Sequence, residues 1–208
     1  MNQQDPNYFQ TIEKPAMAEF NDRGSRFIAY VHSIAAVDEF KAILNDIKKE
    51  HPKASHHCFA YRIGNDGNNF RVTDAGEPSG TAGRPILGQI DSKGLTNVLV
   101  IVVRYFGGTL LGVPGLINAY KSAAALALQL TPIVRKPVEI IYDVSFDYTV
   151  TNEVLKVFRK FNCEILNQEM LLFCNYQVGV PRIHEPEWLR MIAEVKGIVC
   201  KKKSGSVS

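Results

Sequence analysis

The chain has 208 residues, 46% hydrophobic and 22% charged, with a formal net charge of +3. That profile fits one large or two small globular domains. It excludes a helical membrane span, since no apolar run approaches the ~20 residues a bilayer requires.

The positive excess lies wholly in the first part: fifteen Lys and Arg against twelve Asp and Glu up to Lys136, and nine against nine from Pro137 on. It permits nucleic-acid contact without singling it out, because dedicated nucleic-acid modules are usually far more basic. No basic segment followed by an apolar stretch opens the chain, so no secretory leader is expected. Cys58, Cys163, Cys174 and Cys200 are far apart and form no Cys-x-x-Cys pair. The expectation is reduced thiols in a cytoplasmic protein, with no metal and no cofactor.

In chain order, residues 25–33 alternate between two faces and predict a strand. Residues 35–50 predict an amphipathic helix with Val37, Phe40, Leu44 and Ile47 on one side. His51-Pro52 ends it, because the residue before proline avoids helical geometry. Residues 57–63 predict a strand, Asn65-Asp-Gly67 a turn and residues 70–73 a returning strand. The hairpin delivers the chain into the run Asp74-Ala-Gly-Glu-Pro-Ser-Gly-Thr-Ala-Gly-Arg-Pro85. Residues 86–92 predict a short helix. Residues 97–104 are β-branched and apolar up to Arg104, as a buried strand would be. Tyr105-Phe106-Gly107-Gly108-Thr109 follows, and residues 112–130 predict a helix rich in Ala and Leu.

Near residues 132–137 the texture changes. A boundary there gives domains of residues 1–134 and 137–203 and a tail, 204–208. The second domain reads as strand (138–146), helix (151–161, with Thr151 as N-cap), strand (163–166), strand (171–180), helix (186–194) and strand (198–201). That is the βαββαβ order of a ferredoxin-like domain, so the fold class is α+β in two domains. Lys201-Lys202-Lys203 reads as a solvated tail.

Eleven of the fifteen glycines fall between Gly64 and Gly115, so the unusual backbone gathers around two loops. Gly80-Thr81-Ala82-Gly83 with Arg84 precedes one helix, and Gly107-Gly108-Thr109 with Arg104 precedes another. Each could turn free N–H groups and a guanidinium towards a phosphate. The alternative is that the glycines serve tight turns while Arg84 and Arg104 pair with Asp74 and Glu77. The glycine fingerprints of nucleotide enzymes are absent. Asp74 and Glu77 could act as acid and base or hold a metal, but loop carboxylates commonly bond local N–H groups. His56 and Cys58 share a strand face and could form a nucleophile pair; a buried, inert thiol is the competing reading. Of Tyr105 and Phe106, one is expected to face the core and one to stay open to a stacking ligand.

Four segments resemble the IMPACT family: Ser25-Arg-Phe-Ile-Ala, His56-His-Cys-Phe-Ala-Tyr61, the 74–85 run, and Val103-Arg-Tyr-Phe-Gly-Gly-Thr-Leu-Leu-Gly112. The two-part layout is similar to its bacterial YigZ branch. The resemblance implies a first domain folded like a ribosomal small-subunit protein and domain IV of elongation factor G. It implies a second domain like the C-terminal domain of elongation factor G. At Ala75 many members carry a second Asp, which implies a weaker metal site here if paired aspartates were needed. Eukaryotic members, with a different partner domain, restrain translational control by competing for the activator of a kinase that senses uncharged tRNA. For the bacterial branch the resemblance implies a ribosome- or nucleic-acid-linked role.

The expected function is a non-enzymatic protein that binds RNA, the ribosome or a translation factor. Its contacts would be Arg84, Arg104, Tyr105, Phe106, Gly107, Gly108, Thr81 and Gly83, with His56, Asp74 and Glu77 as secondary candidates. The alternatives are an enzyme acting on a small phosphorylated or acidic ligand between the two loops, and a protein–protein adaptor. No membrane partner is expected, and homo-oligomerisation stays open.

Overall fold

A computed structural model describes residues 5–64 and 68–207. The chain separates into two compact units: residues 10–135, and residues from 136 onward together with those up to Phe9. Each is α+β. The expected turn at Asn65-Asp-Gly67 lies outside the described residues.

The larger unit holds strands β2 (Ala16–Asp22), β3 (Ser25–Ser33), β4 (His56–Ile63), β5 (Asn69–Thr73) and β6 (Val98–Tyr105). Its helices are α1 (Val37–Glu50), α2 (Gly83–Ser92) and α3 (Gly112–Gln129). The sheet order is β2-β3-β6-β4-β5, antiparallel at every join. The central strand β6 explains the architecture. Its continuous apolar run is what a strand covered on both faces needs. Val98, Val100 and Val102 point into a core with Ile86 and Ile90 of α2 and Ala119, Ala123 and Ala127 of α3. Leu99, Ile101 and Val103 point the other way, against Phe40 and Ile47 of α1. The small alanines let α3 lie close to the sheet.

The register positions the site. Arg104 near the end of β6 is flanked by Phe27 on β3 and His56 on β4. These three form a row on the α2–α3 face, because side chains alternate along each strand. Tyr105, one residue on, falls on the α1 face.

Three strands were not foreseen. β1 (Tyr8–Ile12) pairs with β7 (Ile133–Pro137) in a two-stranded sheet. Residues 133–137 are therefore a strand, although their texture reads as a boundary. β2 was missed as well, its apolar positions being diluted by Glu19, Asn21 and Asp22.

The smaller unit runs β8 (Glu139–Asp147), α4 (Thr151–Lys160), β9 (Glu164–Met170), β10 (Phe173–Pro181), α5 (Glu185–Ala193) and β11 (Val199–Val207). The strand order is β11-β8-β10-β9. Both helices cover one face, where Trp188 is fully buried beside Tyr142. Thr151 does not cap α4: its hydroxyl donates to Tyr148 O, and Asp147 accepts from Thr149 N–H to cap a short 3-10 turn ahead of the helix. Lys201, Lys202 and Lys203 belong to β11, which continues to Val207 opposite Ile140, beyond the end read from sequence.

On the face away from α4 and α5, Glu139 is 8% exposed. Its carboxyl lies across Gly179, where any side chain would collide with it. Burial, and then the neighbouring Glu164 carboxylate, push Glu139 up to about 7 against the opposing pull of Lys136. The folded chain therefore holds this proton more tightly than the unfolded chain does. Stability is expected to fall as pH rises from the ordinary carboxylate range through about 7, and then to level off. Glu139→Gln should flatten that slope, measured as unfolding midpoints at pH 5.5 and 8; equal slopes in parent and variant would refute it.

Candidate functional site

The loop between β5 and α2 is built around one carboxylate. Asp74 Oδ2 accepts from Gly80 N–H at 2.8 Å, and Oδ1 accepts from Ala82 N–H at 2.9 Å and Gly83 N–H at 2.8 Å. These are the N–H groups that the sequence offers to a phosphate. The chain fills the cradle with its own anion, at a helix start where the macrodipole favours one. Burial opposes the charged form, but the three N–H bonds and Arg84 outweigh it and hold Asp74 below its ordinary value. Thr81 is buried, its hydroxyl donating to Pro78 O at 2.7 Å, and Gly83 presses on the backbone of Thr73. Neither is open to an external anion. Arg84 points out to solvent. Since Asp74's folded value is depressed, its contribution is present above the ordinary carboxylate range and is lost as pH falls from there through the lower folded value. Asp74→Asn is expected to cost about 1–2 kcal/mol at pH 7 and progressively less as pH falls towards the depressed folded value, checked by urea unfolding across that range.

Beside that loop sits a closed ion pair. Arg104 Nη1 donates to Glu77 Oε1 at 2.7 Å, with the side chains only 6% and 3% exposed. Tyr120 hydroxyl donates to the same oxygen at 2.7 Å, and Arg104 Nη2 donates to Ser25 Oγ at 3.3 Å. The guanidinium stacks between the rings of Phe27 and Phe106, at 5.4 and 5.6 Å from their centroids. Arg104 therefore faces inward, and the pairing alternative holds for it and Glu77. Cys58 Sγ lies 3.0 Å from Asp74 O and 3.3 Å from Tyr120 hydroxyl. Burial pushes its thiol up to about 12, which makes it a poor nucleophile. His56 Nδ1 donates to Ala75 O at 2.9 Å, and its Nε2 is 3.8 Å from Glu77 Oε1. Among the described residues no group of three or more His, Cys, Asp or Glu is placed to hold a metal.

The second loop is fastened to this base. Gly107 N–H donates to Ser25 Oγ at 3.2 Å, and Phe106 N–H to Ser55 Oγ at 3.3 Å. Gly107 lies directly on the Gly24–Ser25 backbone, leaving no room for a Cβ. Tyr105 turns inward, its hydroxyl 2.9 Å from His51 Nδ1, while His51 Nε2 is 2.6 Å from Tyr30 hydroxyl. Phe106 is 49% exposed and Leu110 82% exposed. The outward members of the predicted set are thus Arg84, Phe106, Gly107 and Gly108. Sequence reasoning missed Ser25 and Tyr120, which organise the pair from distant elements. It also missed Gly24, whose Arg23-Gly24 turn, with both residues at positive φ, was the available signal.

Two α+β units, one sandwiching an antiparallel sheet between helices and ending it in a buried Arg–Glu pair under two glycine-rich loops, define a two-domain class of scaffold. The sequence profile of the Impact N-terminal domain matches residues 23–128. IMPACT family member YigZ of Escherichia coli K12 is 32% identical over 172 residues, covering 82% of this chain and 84% of its own length. An IMPACT family member of Haemophilus influenzae is 36% identical over 146 residues, covering 69% and 71%. A crystal structure described as a hypothetical protein matches with a TM-score of 0.75 at 27% identity, over 96% of this chain and 99% of that one. The chain belongs to the IMPACT family, in its YigZ branch.

Proposed function

We propose that the protein acts in the regulation of translation as a non-enzymatic binder. It holds RNA, the ribosome or a translation factor through the exposed Arg84 and the exposed Phe106–Gly108 loop. The observation that carries this reading is the contrast within one cluster. Glu77, Arg104, Tyr120 and Cys58 are engaged with one another inside the unit, while Phe106 stands half-exposed on a base that fixes it. An exposed aromatic on a fixed base suits stacking. Family membership supports the link to translation. Phe106→Ala is expected to weaken retention on ribosomes or RNA in cell crosslinking with only a small fall in the unfolding midpoint from the lost Arg104 contact, and retention should fall as salt rises. Unchanged crosslinking would remove this reading.

A second reading, a small acidic ligand, draws on a cleft of ≈ 290 Å³ lined by Lys48, Ser55, His56, His57 and Thr73. It predicts saturable binding of inorganic phosphate that Lys48→Ala abolishes and Phe106→Ala does not.

A further inference from the structure

The β9–β10 hairpin of the smaller unit presents apolar side chains that no core explains. Met170, Leu171, Leu172 and Phe173 are consecutive and 60–76% exposed. Met170 pairs with Cys174 across the turn, Phe173 pairs with Asp147, and Leu172 O accepts from Tyr148 N–H at 3.4 Å. That last bond brings the exposed Tyr148 ring to the same tip. Ile165 and Leu166, set off from that tip by Asn167, Gln168 and Glu169, are also exposed on β9, an edge strand exposed at all seven residues. Large contiguous apolar exposure of this kind marks interaction sites.

Charge decides the occupant. No Lys or Arg occurs at residues 137–155 or 161–181, so β8, β9, β10 and their turns carry none. The acids there are Glu164 and Glu169 on β9 and Asp143, Asp147 and the buried Glu139 on β8, with Glu153 in the first turn of α4. RNA requires cations to meet its phosphates, and anionic lipid requires them likewise. Two copies of the surface would set acid against acid. What fits is a chain with apolar anchors and positive charges between them, which the free edge of β9 can accept as an added strand.

We propose that the β9–β10 hairpin is a docking surface for a basic protein segment bearing apolar anchors. This is independent of the binding face in the larger unit.

The test uses the full chain and a fluorescent peptide of alternating Leu and Lys, about ten residues long to match a strand. A Leu/Glu peptide of the same pattern, oligouridine and phosphatidylglycerol vesicles are the comparison arms. The Leu/Lys peptide is expected to bind saturably and to shift the amide resonances of residues 164–173. The triple variant Leu171→Ser/Leu172→Ser/Phe173→Ser should weaken it about tenfold or more, and Glu169→Lys should weaken it several-fold. Because these side chains are exposed, both variants should keep the parent unfolding midpoint. The proposal is overturned if the Leu/Lys peptide does not bind, if the triple variant binds it equally well, or if the Leu/Glu peptide matches it. RNA or vesicles shifting the same amides, or a dimer that the triple variant dissolves, would overturn it too.

Discussion

Replacing Arg104 by methionine is expected to cost about 3–5 kcal/mol of folding stability, since it leaves a buried carboxylate without its cation. Glu77 is almost wholly enclosed, and its Oε1 receives both Arg104 and Tyr120. Tyr120 cannot compensate alone, because a neutral hydroxyl offers one proton and no charge. Glu77→Leu should lose a comparable amount by orphaning the guanidinium, whose Nε already lacks a partner among the described residues. The double variant Glu77→Leu/Arg104→Met should recover most of the loss, as apolar replacements of buried ion pairs often do. Urea unfolding of the parent, both single variants and the double variant closes the cycle. Single losses below about 1 kcal/mol would mean that the pair is solvated in solution. The double variant also separates structure from function: if Arg104 is scaffolding, a refolded double variant should retain the partner that Phe106→Ala loses.

The pattern of β6 shows what sequence makes legible. Its run of apolar residues demands covering on both faces, and the helices that do so were read from periodicity at α1 and from composition at α3. The βαββαβ order of the smaller unit was legible for the same reason. Its β9–β10 hairpin was read as two strands, but its exposure was not foreseen, since Ile165, Leu166 and Leu171 look like core residues in one dimension. Strands β1 and β7 were lost because their stability comes from partners distant in sequence, and β2, although it pairs with neighbouring β3, because polar residues interrupt its pattern. Glu13 N–H, for example, donates to Pro132 O at 2.9 Å, and Thr96 N–H to Gln10 O at 2.9 Å.

The candidate site was legible as residues but not as connections. The sequence offered Arg104 either to solvent phosphate or to Glu77, and the same atoms serve both. The deciding facts are Tyr120 on α3 and Ser25 on β3, which close the pair from 16 positions downstream and 79 upstream. The anion cradle at Gly80–Gly83 was recognised as a cradle. Asp74 was weighed as a local cap rather than as the anion occupying it, because a six- to nine-residue reach depends on the loop's curvature. That curvature places Ala75 at φ +46, a conformation that Asp or Asn tolerates better than Ala. A backbone requirement at residue 75 would thus favour Asp or Asn there without invoking a metal.

Gly107→Ala is expected to destabilise the larger unit by about 3 kcal/mol, the upper range for forcing extra atoms into a packed site. The neighbours that a Cβ would strike are Gly24 C, Gly24 O and Ser25 N, all backbone, which cannot rotate away as a side chain would. The collision is mutual, since a Cβ on Gly24 would fall 2.9 Å from Gly107 O. Relief requires the 105–108 loop to lift from the β2–β3 turn, which breaks the Gly107 N–H bond to Ser25 Oγ. Ser25 Oγ is also an acceptor for Arg104 Nη2, so the disturbance reaches the buried pair. Gly108→Ala is the control: its φ of +84 disfavours a side chain, but the space around it is open. Its cost should be about 1–2 kcal/mol, that of a left-handed residue alone. Thermal unfolding ranks the two, and the amide resonances of Gly24, Ser25 and Phe106 report whether the loop has moved. A Gly107→Ala variant no less stable than Gly108→Ala, with those resonances in place, would show that the contact yields without displacing the loop. If it behaves as expected, Phe106 is positioned by a backbone-to-backbone contact, and the aromatic's exposure is set by Gly24 and Gly107 rather than by its own packing.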